Sequence, residues 1–187
     1  MTERRETAPP PSLGPGQGVR VEESIVVNRV PAELFQLWRD LETMGRVFRH
    51  IERVECGPSH RSHWVAHGPL GTQVEWDAEI INEVENELIG WQSLPGSEVA
   101  CAGSVRFEPA GDGATTVHVV FRYDPPGGRI GAAIASALGA DPSKTVADDL
   151  ARFKRQVESG KVPTKDEVDL ASEQSFPASD APSWAGR

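Results

Sequence analysis

Apolar and polar positions alternate along this chain with two different periods, and the places where the period changes predict the order of elements. Val21 to Asn28 is a short β-type run, closed by Arg29-Val30-Pro31, where Pro31 suits the first turn of a helix. Ala32 to Arg39 reads as a helix with Leu34, Leu37 and Trp38 on one side. Asp40 is placed to cap a second short helix, Leu41 to Phe48, because its carboxylate accepts orphan backbone N–H groups. From Ile51 the period becomes that of strands. Val74, Trp76, Ala78 and Ile80 face one way while Gln73, Glu75, Asp77 and Glu79 face the other, which predicts a sheet with one wet face. Glu83 to Glu87 makes a turn, and Ile89 and Trp91 share a face of the return strand. Cys101, Gly103, Val105 and Phe107 then alternate with Ala102, Ser104, Arg106 and Glu108. After the turn signal Gly111-Asp112-Gly113, Val117, Val119, Phe121 and Tyr123 alternate with Thr116, His118 and Arg122.

The helical period returns after Gly127-Gly128. Ile130, Ile134, Ala137 and Leu138 form one stripe; Asp141-Pro142 resets the helix, and Val146, Leu150, Phe153 and Val157 form the next. Asp148, Asp149, Arg152, Lys154 and Arg155 are expected on its wet side. The pattern predicts an α+β domain: a strand, two short helices, about six antiparallel strands and a long C-terminal helix kinked or broken near Asp141.

Composition narrows the function classes. The 187 residues fit one domain with tails, and 38% apolar content supports a core. With 19 basic against 28 acidic residues the chain carries −9, the wrong sign for a nucleic-acid binder. Residues 1–18 hold seven Pro and Gly and are expected to be a disordered arm; 159–187, opening with Ser159-Gly160-Lys161-Val162-Pro163, is expected to be a disordered acidic tail. The domain is thus 19–158. Neither an apolar secretory run nor a membrane-length apolar stretch occurs, so a cytoplasmic location without stable membrane insertion is expected. Cys56 and Cys101 read as buried small hydrophobes of a reducing compartment.

The order of elements resembles the helix-grip fold of the START and polyketide cyclase/dehydrase (SRPBCC) superfamily, and within it the coenzyme Q-binding-like bacterial members. The likeness is carried by Leu37-Trp38-Arg39-Asp40-Leu41-Glu42, Phe48-Arg49-His50-Ile51, Ser62-His63-Trp64, Gly68-Pro69, Val74 to Ile80, Trp91, Gly103 to Phe107 and Tyr123-Asp124-Pro125-Pro126-Gly127. It covers about 21–158. The resemblance implies a cavity between an antiparallel sheet of about seven strands and the long C-terminal helix, holding a lipid, quinone, hormone or polyketide. Some members are aromatase/cyclases, but no shared catalytic signature transfers residue by residue.

The residues themselves bear on such a cavity. Large side chains, Trp76, Trp91, Val105, Phe107, Val119, Phe121 and Tyr123, lie on the inward sheet face, opposite the small residues Gly131, Ala132, Ala133, Ala135, Ser136 and Ala137. A close helix–sheet approach would consume the gap, whereas a curved sheet would leave an apolar hollow. The expected ligand-binding residues are Trp38, His50, Trp64, Trp76, Trp91, Val105, Phe107, Phe121, Tyr123 and Ile134, with His50 and Tyr123 giving orientation. His50 stands between the second helix and the first long strand, near the mouth of the hollow. His60 falls in a turn, while His63, His67 and His118 read as surface residues; no convergent metal set is visible, so neither a metal nor another cofactor is expected. Glu75, Asp77 and Glu79 read as an outer charged face, and no GxSxG or phosphate loop occurs.

Three functions follow from this reading. The first is binding of an apolar small molecule without catalysis. The second is a polyketide cyclase or dehydratase whose cavity folds the substrate, with catalytic residues unidentified. The third is a protein-interaction module acting through its surface and through 173–184, where Phe176 and Trp184 stand among Pro, Ser and Ala.

Overall fold

The computed structural model describes residues 18–67, 73–97, 99–124 and 141–161. The helical stripe from Ile130 to Leu138, including Ile134, and the patterned tail with Phe176 and Trp184 lie outside the described residues. The elements are β1 (Val19–Val27), α1 (Pro31–Arg39), α2 (Leu41–Val47), β2 (Ile51–Cys56), β3 (Arg61–His67), β4 (Gln73–Val84), β5 (Leu88–Ser93), β6 (Ala100–Gly111), β7 (Ala114–Asp124) and α3 (Pro142–Glu158).

All strands join one antiparallel sheet in the order β1-β7-β6-β5-β4-β3-β2. The first strand therefore pairs with the last, and α1 and α2 carry the chain from one edge to the other. Their boundaries have local causes. Pro31 opens α1, and the Asp40 carboxylate accepts both the Thr43 backbone N–H at 3.0 Å and the Thr43 hydroxyl at 2.7 Å, capping α2. Gly45 lets α2 lie flat on β2, since a Cβ there would stand 2.5 Å from Val54 Cγ2. The register slips between Ile51 and Arg53, Ile80 and Asn82, and Pro109 and Gly111; such irregularities bend strands and increase their twist, which suits a sheet that curls.

One end of the concave face is solid. Leu34, Phe35, Leu37 and Trp38 of α1 meet Leu150, Phe153 and Val157 of α3 over Val27, Val105, Phe107, Val117 and Val119. The rings meet edge to face: Trp38 and Phe153 at 5.7 Å, Phe35 and Phe107 at 6.0 Å, Trp38 and Phe107 at 6.4 Å. Around this packing runs a polar clamp from the C-terminal turns of α3 to β1. Glu158 Oε1 accepts from the Asn28 backbone N–H at 2.9 Å, Lys154 Nζ donates to Val26 O at 2.7 Å, and Arg29 Nη2 donates to Val157 O at 3.2 Å. Buried Thr115 donates to Arg29 O at 2.7 Å, tying the same corner to β7.

Two expectations about side-chain placement fail. Cys56 is exposed, because it ends β2, the edge strand of the sheet among the described residues; Cys101 is buried. Asp149, expected on the wet side of the last helix, is 3% exposed. It follows Val146 by three residues and precedes Phe153 by four, so helical geometry puts it on the apolar stripe.

The solid end should dominate stability. Phe153→Ala is expected to cost about 3–5 kcal/mol, read from the urea midpoint, because a fully buried ring leaves a cavity the rigid corner cannot close. The clamp adds a pH dependence. Its hydrogen bond from Lys154, then the one from the Asn28 N–H, holds the Glu158 carboxyl below its usual range. A depressed carboxyl stabilises the fold above its unfolded value and loses that contribution as pH falls through the folded one. Glu158→Gln should therefore lower the Tm at neutral pH, with the gap to the parent protein closing under acid conditions. A constant gap across that range would contradict the clamp.

Candidate functional site

At the other end the concave face is hollow. Besides the solid cluster, two smaller ones line the sheet: Val74, Val99, Cys101 and Tyr123 with Val19, Trp76 and Phe121, and Ile51, Val54 and Ala66 with Leu41, Phe48, Trp64 and Trp76. Trp76 is shared by these two, and Phe48 joins the latter to the main core. The gap between the three clusters is a cavity of about 170 Å3. It exceeds the roughly 150 Å3 that accepts benzene in an engineered apolar cavity elsewhere.

Its walls are mostly aromatic and aliphatic. Trp64 and Trp76, opposite each other on β3 and β4, stack at 5.9 Å and 12°. The Trp64 indole N–H is satisfied by Ser62 Oγ at 2.8 Å, so that wall presents a ring rather than an unmet donor. Phe121 and Tyr123, two apart on β7, stack at 5.6 Å, and burial pushes the Tyr123 phenol above its ordinary value. Trp91 faces Gly103 across β5 and β6. A Cβ on Gly103 would collide with the Trp91 ring and stand 2.9 Å from Val120 O, so glycine is what lets this indole lie against the sheet. Burial raises the Cys101 thiol to about 12, partly offset by hydrogen bonding with Ser93, which leaves it a protonated, apolar part of the lining.

The polar groups in the wall are few. His50 enters just after α2, where its backbone carbonyl accepts from the His67 N–H at 2.9 Å, and its ring lies 6.2 Å from Phe48. His50 Nδ1 stands 3.4 Å from Asp149 Oδ2, within ion-pair reach but not aligned as a hydrogen bond; both atoms are sealed from solvent and, among the described residues, have no hydrogen-bond partner. The Asp149 side chain is 4% exposed and that of His50 21%. Trp38 Nε1 is also sealed, with no hydrogen-bond partner among the described residues. Glu79 keeps to the outer face as expected: it is half-buried beside its cross-strand neighbour Gln92, whose Nε2 donates to its carboxylate at 3.0 Å.

Of the residues expected at the site, Trp38, His50, Trp64, Trp76, Trp91, Phe121 and Tyr123 all line the cavity. Val105 and Phe107 do not. They alternate onto the correct face, but α1 and α3 cover their stretch of β6 and enclose them in the solid core. Sequence reasoning missed Asp149, Phe48, Met44 and Ser62 as wall residues. For Asp149 the helical spacing from Val146 to Phe153 carried the signal. The outer histidines pair with carboxylates: His63 Nδ1 with Asp77 at 2.9 Å, His67 with Glu52 at 3.3 Å and His118 with Glu108 at 3.4 Å. Among the described residues no three His, Cys, Asp or Glu side chains converge as a metal site, and no helix is long and apolar enough to cross a membrane.

A curled antiparallel sheet, a helix seated in its concave face and an apolar hollow beside that helix define a helix-grip fold of the ligand-binding kind. Residues 18–158 match the family described as polyketide cyclase / dehydrase and lipid transport, and the chain belongs to that family. It is 30% identical over 139 residues to an uncharacterized 17.2 kDa protein of Streptomyces lincolnensis, covering 74% of this chain and 89% of that one. A solved structure from Deinococcus radiodurans is 32% identical with a TM-score of 0.62, covering 76% of this chain and 99% of the other. The di-domain ARO/CYC StfQ from the steffimycin biosynthetic pathway shares the fold at 14% identity and a TM-score of 0.56, over 78% of this chain and 52% of that one.

The Trp91 wall gives a direct check on the packing. Gly103→Ala is expected to cost about 1–3 kcal/mol through overpacking and to change the near-ultraviolet circular dichroism as the indole is displaced. An unchanged spectrum with unchanged stability would contradict the packing of Trp91 on Gly103.

Proposed function

We infer that the protein binds an apolar small molecule of the lipid, quinone or polyketide kind in this cavity. The observation that carries the reading is the lining: stacked rings on two walls, aliphatic side chains between them and a small set of polar groups at the His50 end. Trp38, His50, Trp64, Trp76, Trp91, Phe121 and Tyr123 are the proposed contacts. Burying roughly 200 Å2 of apolar ligand surface would contribute about 5 kcal/mol, before the cost of association. Affinity would therefore come from burial and flat-ring contact, and orientation from the polar end.

A second reading, ring closure or loss of water on a polyketide chain, is favoured by one observation, the buried His50–Asp149 pair in the cavity wall. A histidine beside a carboxylate is a common arrangement for moving protons, and the structural neighbour from the steffimycin pathway is named an aromatase/cyclase. The two readings diverge on whether a bound molecule is altered.

Titrating a quinone while following tryptophan emission tests the binding reading. Saturable quenching at one site is expected in the parent protein, and its loss is expected in Ala78→Phe, whose ring would occupy the hollow. Linear, unsaturable quenching in both proteins would contradict it. Recovery of the quinone or a model polyketide in altered form would move the assignment to the second reading.

A further inference from the structure

The His50–Asp149 pair is unusual in how its polar atoms are disposed. Nδ1 and Oδ2 face each other at 3.4 Å, sealed from solvent and, among the described residues, without a hydrogen-bond partner. Asp149 is the polar partner that the described residues offer to the ring, and the side chain, 21% exposed, lines the cavity. Whichever proton the ring carries is thus decided on the buried side. A carboxylate oxygen can only accept, so the ring nitrogen facing it is the one that keeps its hydrogen. The other nitrogen is then left with a lone pair. The long contact is no objection, since such bonds in unliganded sites are often loose and tighten when the site is filled.

We propose that Asp149 fixes His50 as the Nδ1–H tautomer, so that Nε2 accepts a hydrogen bond from a hydroxyl of the bound molecule. Asp149 is then a positioning residue and His50 the contact. This rests on the binding reading above and narrows it to a chemical class: a flat apolar molecule with a phenolic or enolic hydroxyl. The bare hydrocarbon has nothing to donate. A carboxylate of the same shape also lacks a hydrogen to donate and brings a negative charge toward Asp149.

Three probes of nearly one shape separate these cases: naphthalene, 2-naphthol and 2-naphthoate, titrated into the full-length protein in mildly alkaline buffer with tryptophan emission as readout. The parent is expected to bind 2-naphthol about tenfold more tightly than naphthalene, the ratio one added hydrogen bond in a dry wall supplies, and 2-naphthoate more weakly than 2-naphthol. In His50→Leu the ratio of 2-naphthol to naphthalene affinity should fall to near one. Asp149→Asn, which keeps the shape and can either donate or accept, should lower the ratio only in part. Nitrogen NMR of labelled histidine gives a readout that a purely structural role would not move: Nδ1–H for His50 in the parent, and a mixture of tautomers in Asp149→Asn. Equal binding of naphthalene and 2-naphthol by the parent, tighter binding of 2-naphthoate, or an Nε2–H tautomer in the parent would each overturn the proposal while leaving the cavity as a binding site. Failure of all three probes to bind would overturn the binding reading and this inference with it.

Discussion

The seating of α3 against β1 is the constraint on which the rest of the molecule depends. Phe153 and Val157 are driven into the curl of the sheet by burial, and Lys154, Glu158, Arg29 and Asn28 fix the helix end along the sheet edge. Neither set suffices alone: the apolar packing has no strong preference for position along the sheet, and the exposed polar contacts are individually weak. Together they hold the C-terminal half of α3 over one end of the concave face. Its earlier turns, at Val146 and Asp149, are thereby brought to the edge of the part that stays open.

A hollow is costly unless its walls are supported from behind, and here each wall has a backing. Trp91 lies on a stretch of β6 where Gly103 gives it room, Trp64 is held by Ser62 and by its stacking on Trp76, and α2 is pressed onto β2 through Gly45. These devices keep large rings along the walls of the gap instead of collapsing into it. Among the described residues of the lining, one pair stands within ion-pair reach. His50 and Asp149 come from opposite ends of the chain, and they meet because α2 and α3 converge at the same corner of the cavity.

Much of this was legible in the sequence because the sheet obeys its alternation closely. Val74, Trp76 and Ala78, and likewise Phe121 and Tyr123, reach the cavity as their spacing implies. What alternation cannot tell is how far along a strand the covering helices extend. Val105 and Phe107 face inward as correctly as Cys101, yet they are sealed under α1 and α3 while Cys101 remains in the lining. For Asp149 the charge implies a wet position, but the stripe from Val146 to Phe153 passes through it and helical geometry prevails. Cys56 was misjudged because an edge strand offers no neighbour to bury its last residue.

The central claim is that the hollow end of the sheet is a site for an apolar small molecule. Native mass spectrometry of the full-length protein, purified gently from the organism that makes it, followed by extraction of whatever leaves on denaturation, tests that claim most directly. The account predicts a stoichiometric apolar adduct that Ala78→Phe does not carry. A bare chain in the parent, or an equal adduct on both proteins, would contradict it.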